Sequence, residues 1–452
     1  MRARLTAILI AAAGVRLVFL WCFGSDPPSN YDALDYNQLA VGLVETGAYS
    51  NARGELISLR PPLFPAVAAV IFKLFGAENY LAVSSFHAAL SLLTVWLTYR
   101  LGTDVYSYRV GLVAAAAAAF YPSLLAYNQF FLSEVLFAFF VTLGAVFTIR
   151  VYRTGGLGAA ALLGLCLGLG ALTRSVLWLF APLLCLALAL VTPMTLARRT
   201  ALAAVALGVF AGVIAPWAWR NTRVQKTLTF VDVMGGRNVM MGNYEYTPLD
   251  RSWATIETQT GDRAWHTVLA AHTENYRQLT QGQRDKAAMR YGINYFFSHP
   301  WQSLQRSTVK FFNYWQLERE IVSGLRSGLI AHPPVVVILL VALIVCGAYV
   351  TAVFAAIFGA LVSPPRDRVN HALLLMWIAF PWAIHTVAFA HSRYHLPFIP
   401  IVLVYAAAAY VNHSEILRSR RSWAFGGACV ACTLLAASWI REFIVLDMKW
   451  FA

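Results

Sequence analysis

Charge is scarce in this chain. Only 12% of its residues are Asp, Glu, Lys or Arg, about half of the roughly 25% found in soluble domains, which excludes an ordinary water-facing globular surface. Acids are scarcer still, 21 against 35 Lys and Arg, for a formal net charge of +14. That balance raises the question of nucleic acid, but most of the arginines sit in short clusters between apolar runs, as the cytoplasmic turns of membrane proteins do. No nucleic-acid partner is expected. The six cysteines (Cys22, Cys166, Cys185, Cys346, Cys429, Cys432) lie in or against apolar runs, which speaks against a disulfide framework or a zinc site. Cys429 and Cys432 form a C-x-x-C, yet an apolar segment lacks the electropositive, partly exposed setting of a reactive thiolate. There is no internal repeat and no low-complexity tract beyond Ala-rich stretches. What fills the chain instead is apolar: 59% hydrophobic residues and a mean hydropathy of +0.60 describe an all-α polytopic membrane protein with membrane lipids as its surroundings.

Apolar windows able to cross roughly 30 Å of hydrocarbon fall near 5–23, 80–99, 110–127, 131–149, 156–173, 175–191, 200–218, 333–358, 371–390, 396–411 and 423–440. That predicts about eleven transmembrane helices, with an upper count of twelve to thirteen. The run 63–75 is short for a span and reads as a re-entrant or juxtamembrane helix. Arg16 interrupts the first window and no A-x-A-like site follows it, so the first window is expected to be an uncleaved span. The divisions are 1–218, a transmembrane module whose first outer loop is 24–62; 219–331, an outer loop with amphipathic interfacial helices; and 332–452, C-terminal transmembrane helices.

With the N-terminus inside, the inner turns carry Arg100 and Arg109, Arg150 and Arg153, Arg198 and Arg199, Arg366 and Arg368, then Arg418, Arg420 and Arg421, so every inner turn is basic. The opposite face then receives the 24–62 loop, the turn from Asn128 to Glu134, the segment 220–330, the turn from His391 to His395 and the C-terminal tail. In 220–330 aromatic and polar residues alternate through Tyr291, Tyr295, Phe296, the His299-Pro300 break, Trp301, Phe311 and Trp315, a pattern suited to helices lying at a membrane surface.

The chemistry-bearing residues share that face. Asp32 and Asp35, three apart, fall on one face of a helix. Asp32 also reads as an N-cap and Asp35 as a first-turn acid. Arg60 precedes Pro61-Pro62, which keeps it out of helical conformation and fixes it at the start of the next apolar helix; a snorkelling arginine is the plainer reading. Glu134 opens the fourth span and Arg174 separates the fifth from the sixth. Ionisable residues there face a cavity or pair with each other. Arg220 and Asn221 end the seventh span. Gly235-Gly236-Arg237-Asn238 with Met241-Gly242-Asn243 permits a tight turn with donors aimed at an anion or sugar, a weak pattern taken alone. Arg393 adds one more cation on this face, with a topogenic role as its alternative.

The ordered set Asp32-x-x-x-Tyr36, Arg60-Pro61-Pro62-Leu63, Ser133-Glu134, Leu172-Thr173-Arg174, Pro216 to Asn221, Gly236-x-Asn238 with Gly242-Asn243, and Arg393-Tyr394 resembles the C-type (GT-C) polytopic glycosyltransferases that use polyprenyl-phosphate sugars. Within that class it resembles the bacterial branch that contains the aminoarabinose transferases of lipid A and relatives of the protein O-mannosyltransferases. The resemblance implies a GT-C fold, catalytic Asp32 with Asp35, and Arg60 near the donor phosphate. Tyr36, Glu134, Arg174, Arg220, Asn221, Arg237, Asn243 and Arg393 are the further candidates for holding the donor or substrate. Leu59 stands where the aminoarabinose transferases carry an acid, and no large C-terminal soluble domain follows, so the acceptor is not inherited from the resemblance.

The expected function is an integral membrane glycosyltransferase at the outer (periplasmic) face of a bacterial inner membrane. It moves a sugar, with inversion, from a polyprenyl-phosphate donor to a lipid, glycan or protein acceptor. No metal site and no cofactor are implied, with the role of a divalent metal left open. A transporter or lipid flippase is the rival; it would place ionisable residues near the bilayer midplane, often in repeated halves, whereas here the acids cluster at the outer ends of spans. A non-catalytic assembly subunit of an envelope complex is a third reading.

Overall fold

A computed structural model describes residues 2–51, 53–328 and 333–448. The expected boundary at 331–332 and the end of the C-terminal tail lie outside the described residues. Among the described residues the regular structure is helical, apart from an isolated antiparallel bridge between Ser50 and Leu56. Its helices run α1 (Arg2–Phe23), α2 (Tyr31–Thr46), α3 (Leu63–Phe75), α4 (Tyr80–Val105), α5 (Tyr108–Phe120), α6 (Pro122–Ala126), α7 (Glu134–Thr154), α8 (Leu157–Thr173), α9 (Val176–Val191) and α10 (Leu196–Gln225). The outer segment holds α11 (Gly235–Gly242), α12 (Thr255–Thr258), α13 (Trp265–Ala271), α14 (Gln281–Ser298), α15 (Pro300–Asn313) and α16 (Glu320–Arg326). The last bundle helices are α17 (Val335–Leu361), α18 (Arg368–Val387), α19 (Ile399–Val411), α20 (His413–Arg418) and α21 (Trp423–Glu442).

Seven helical stretches among the described residues are long and apolar enough to cross a membrane, or eight when α5 and the helical turns after it, bent by 55°, count as one. The expected eleven spans are not reached by this measure. The reason is length and composition: α8 and α9 have 17 and 16 residues, about 25 Å at 1.5 Å per residue, and α18 carries Asn370, His371 and His385. α3 is a 13-residue helix, and both its ends stay near one end of the bundle: Phe64 packs on Tyr36, and Phe72 and Tyr80 on Phe131.

Small residues let the bundle close. An added Cβ at Gly164 of α8 would stand 2.2 Å from the Ala206 carbonyl of α10, and one at Gly359 of α17 would stand 2.0 Å from the Tyr405 carbonyl of α19. Close backbone approach replaces the hydrophobic drive that lipid cannot supply. Arg16 is buried in α1 and donates to Ser91 Oγ at 2.8 Å and to the Ala12 and Ala119 carbonyls at 3.0 and 3.1 Å. Ala119 lies in the last turn of α5, whose carbonyls carry negative partial charge, so this arginine ties α1 to α4 and α5.

Turns joined by hydrogen bonds define the two ends. Arg198 Nε reaches the Gly155 carbonyl at 2.8 Å, Tyr152 Oη reaches Asp367 at 3.4 Å and Asn412 reaches Ser363 at 2.9 Å, which gathers the basic turns at one end. The outer segment covers the other. It has its own small core of Met240, Tyr244, Val268, Leu269 and Ala288, and α14 begins at a capping box between Thr280 and Gln283, which satisfies two backbone donors at once. Phe297 and Trp301 stay exposed on α14 and α15, at 75% and 70%, on the amphipathic pair expected at a membrane surface.

Candidate functional site

α2 starts where Asn30 accepts the Ala33 N–H at 2.8 Å. Asn30, not Asp32, is therefore the N-cap, and this leaves the Asp32 carboxylate free for other partners. It takes two. Arg60 donates to Asp32 Oδ1 from Nη2 at 2.6 Å, and Arg393 donates to Asp32 Oδ2. Arg60 Nη2 also reaches Asp35 Oδ2 at 2.8 Å, so the helical spacing of the two acids brings both onto one guanidinium. Tyr36, one turn beyond Asp32, lies under Arg60 with its ring centroid 5.5 Å from the guanidinium carbon, and its hydroxyl meets Ser133 Oγ at 3.3 Å.

Ser133 and Glu134 begin α7, and Arg174 caps α8. Arg174 bonds Glu134 Oε1 at 2.8 Å and Ser133 at 3.3 Å, and Arg393 Nε lies 3.7 Å from the same Glu134 oxygen. The side chains of Asp32, Asp35, Arg60, Arg174 and Arg393 keep 13 to 26% exposure while Glu134 keeps 1%. The first group can be reached by a ligand, and Glu134 supports it from behind. Glu134 Oε2 has no hydrogen-bond partner, and Glu134 lines a small cavity together with Arg16 and Ser91.

Charge in this cluster is nearly balanced by construction. Burial would raise the Asp32 carboxyl, but Arg393 and Arg60 outweigh it and hold the group well below the usual carboxylate range. Burial, reinforced by the neighbouring Arg393, pushes the His391 imidazole down to about 3. His391 is thus neutral where it meets Glu320 at 3.4 Å.

Three other expected site residues lie elsewhere. Arg220 spends its donors on the Ile57 and Tyr49 carbonyls at 2.6 and 2.9 Å and on Ser58 Oγ at 3.2 Å. Asn221 joins Ser58 Oγ at 2.9 Å to the Val231 carbonyl at 2.8 Å. Both brace the first loop instead of facing Asp32, because that loop carries backbone carbonyls with no helix to satisfy them. Asn243 bonds the Val239 and Val387 carbonyls, each at 2.9 Å, and receives Lys310 Nζ at 3.2 Å, locking α11 to the end of α18. Arg237 lies over Trp265, with the ring centroid 5.4 Å from its guanidinium carbon, and burial, reinforced by the positive charge of Arg60, lowers it below the ordinary arginine value.

Sequence reasoning did not single out Asp232, Glu318 or Glu320. Asp232 is half-buried, accepts the Met234 N–H at 3.3 Å and lies within reach of the Ser175 hydroxyl; burial raises it to about 6. Glu318 accepts from Ser123 at 2.5 Å and meets His395 Nε2 at 3.1 Å, and Glu320 accepts from Tyr127. With Ser392 and Arg393 the two glutamates line a small cavity. The available signal was the scarcity of acids: three carboxylates in an aromatic setting close to predicted outer turns.

Residues 59–219 match the family model of the dolichyl-phosphate-mannose-protein mannosyltransferases, a stretch that includes Arg60, Glu134 and Arg174. No curated protein matches the chain. Among solved structures, the oligosaccharyltransferase AglB of Archaeoglobus fulgidus in complex with an inhibitory peptide and a dolichol-phosphate is similar at 14% identity and a TM-score of 0.52, over 98% of this chain and 55% of that one. The same enzyme tethered to an acceptor peptide gives 16% identity and a TM-score of 0.51, over 96% and 53%. ArnT from Cupriavidus metallidurans bound to undecaprenyl phosphate is similar at 14% identity and a TM-score of 0.44, over 91% and 80%. The chain spans about half the length of the archaeal enzyme. Its fold is that of the C-type polytopic glycosyltransferases.

Proposed function

We propose that this protein is an integral membrane glycosyltransferase that moves a single hexose or pentose from a polyprenyl-phosphate donor to a lipid, glycan or protein acceptor, with inversion, at the outer face of a bacterial inner membrane. The observation that carries the reading is the Asp32 carboxylate held between two guanidiniums, Arg60 and Arg393, at one end of an apolar bundle with this fold. The match of residues 59–219 to the mannosyltransferase model and the dolichol-phosphate bound by the similar archaeal oligosaccharyltransferase support the choice of donor.

The chemistry asks little of the protein. A polyprenyl phosphate leaves as an anion and needs no proton from a general acid, unlike the alkoxide of a glycoside. The acceptor hydroxyl gives its proton to Asp32 as its oxygen bonds to the anomeric carbon. The bond from that carbon to the phosphate oxygen breaks with its electron pair staying on the phosphate, where Arg60 and Arg393 neutralise it. Asp35 holds Arg60 in place, and Glu134 with Arg174 supports Arg393 and Ser133. The segment 219–328 covers the site and contributes to acceptor choice.

The test is turnover. Purified protein supplied with a labelled polyprenyl-phosphate sugar and an envelope extract should move label to an acceptor, and mass spectrometry of envelope glycans and lipids with and without the gene should lose a matching sugar. Passage of labelled lipid across a vesicle with no change in its covalent structure would instead establish a flippase.

A further inference from the structure

Arg60, Arg174 and Arg393 each already hold a carboxylate. Arg237 is different. Among the described residues no carboxylate lies within 4.0 Å of its guanidinium, its Nη1 meets only Met234 Sδ at 4.0 Å, and its Nε is buried without a hydrogen-bond partner. One face stacks on Trp265 with the centroid at 5.4 Å. The backbone that carries it is fixed: the Arg237 N–H donates to Asp285 at 2.9 Å, and Gly236 runs so close to α14 that an added Cβ would stand 1.8 Å from the Asp285 carbonyl. A partly buried cation without a carboxylate partner, in the electrostatic field of Arg60 and of the Asp32 carboxylate that two other cations neutralise, is suited to an incoming anion.

We propose that Arg237 is the first group to receive the donor's phosphate, and that the seated phosphate then draws Arg60 and Arg393 off Asp32, so that the carboxylate becomes a base only when the donor is present. This rests on the lipid-phosphate reading above. In the free protein the two guanidiniums satisfy both Asp32 oxygens, and a carboxylate so paired is a poor proton acceptor. A phosphate competes for the same planar forks with more acceptor atoms. Each arginine that turns to it lowers the positive potential at Asp32 and restores its basicity. Arg237 contributes the initial contact because it alone gives up no carboxylate to make it.

The inference makes an unusual demand on Asp32. If Asp32 restrains Arg60 and Arg393, then Asp32→Asn should tighten phosphate binding while abolishing turnover. The measurement is binding of a fluorescent short-chain polyprenyl phosphate, against the neutral polyprenol of the same chain, to the full-length protein in nanodiscs. Arg237→Ala should weaken phosphate binding by about tenfold or more, the loss of a charge-assisted hydrogen bond, leave the neutral alcohol unaffected, and recover most of the loss when Asp32→Asn is added. Arg237→Lys, which keeps the charge and guards against misfolding of the alanine variant, should bind between the two. A merely structural Arg237 would not be rescued by Asp32→Asn. Parental affinity in Arg237→Ala, or weaker binding in Asp32→Asn, overturns the inference; a parent protein that does not distinguish the phosphate from the alcohol overturns the lipid-phosphate reading itself.

Discussion

Asp32 and Arg393 stand 361 residues apart in the chain and are hydrogen-bonded to each other. The pair joins the first outer loop to the turn between α18 and α19, and it makes the site depend on both halves of the bundle. Asp32→Asn keeps the size and most of the hydrogen bonding of the side chain while removing the proton acceptor. Turnover should fall on the order of 100 to 10,000-fold, as it does on loss of a positioned general base, in a variant that still inserts and purifies as one species. If Asp32→Asn turns over like the parent and Asp35→Asn is dead, the roles of the two acids are exchanged; if both variants are active, the base lies elsewhere, with Glu134 the next candidate.

Much of this arrangement was legible in the sequence. Asp32, Asp35 and Arg60 were found because acids and a cation beside Pro-Pro are conspicuous in a chain so poor in charge. The basic turns are set apart because arginine content varies sharply along the chain. What was not legible is direction. Arg220 and Arg393 look alike in sequence, each following aromatic or polar residues at the end of an apolar run. Only packing decides that Arg220 turns to the carbonyls of Tyr49 and Ile57 while Arg393 turns to Asp32. Asp232 escaped for a related reason: its environment is made by Ser175 and Met234, and Ser175 is distant in sequence.

Arg60 differs from a point charge in having a fork that meets Asp32 and Asp35 together, with Nε at 3.3 Å from Asp35 as well. Arg60→Lys should keep part of the turnover and Arg60→Ala less, because lysine preserves the charge without the planar geometry. Donor affinity should drop in both variants, measured by titration with a polyprenyl-phosphate sugar. Parental affinity in Arg60→Ala would remove Arg60 from the phosphate.

Gly236 and Gly242 bracket α11, and each runs against a backbone carbonyl, with an added Cβ falling 1.8 Å from that of Asp285 and 1.7 Å from that of Ala388. Neither carbonyl can yield as a flexible side chain would, so Gly236→Ala or Gly242→Ala should push α11 off α14 or off the end of α18. Overpacking of this kind typically costs about 1–3 kcal/mol. The melting temperature should drop in both, and turnover with it, whereas Gly208→Ala, where nothing lies within 4 Å of the added carbon, should match the parent.

Asp232 sets a pH dependence of stability. Its pKa rises from the ordinary 3.8 to about 6, by burial first and the nearby Asp285 next, against the Ser175 and Met234 hydrogen bonds. A carboxyl that binds its proton more tightly folded than unfolded favours folding below pH 3.8, and this advantage is lost as pH rises to about 6. Above that the ionised group is a net liability. Asp232→Asn should therefore melt higher than the parent at pH 7.5, with the difference shrinking on acidification toward pH 4. A difference independent of pH over that range would mean that Asp232 does not titrate there.

Orientation completes the functional reading, since a periplasmic site requires the outer segment to lie across the membrane from the basic turns. Those turns, among them Arg150, Arg153, Arg198, Arg199 and Arg368, gather at the end of the bundle away from Asp32, as the Arg198 to Gly155 and Tyr152 to Asp367 contacts require. A positively charged end is the one retained in the cytoplasm. Alkaline phosphatase is active only after export, so a fusion near Thr260 should be active and one near Arg420 inactive, with a cytoplasmic reporter giving the reverse pattern. An inactive fusion at Thr260 together with an active one at Arg420 would invert the protein, place Asp32 in the cytoplasm and require a donor displayed on the inner leaflet.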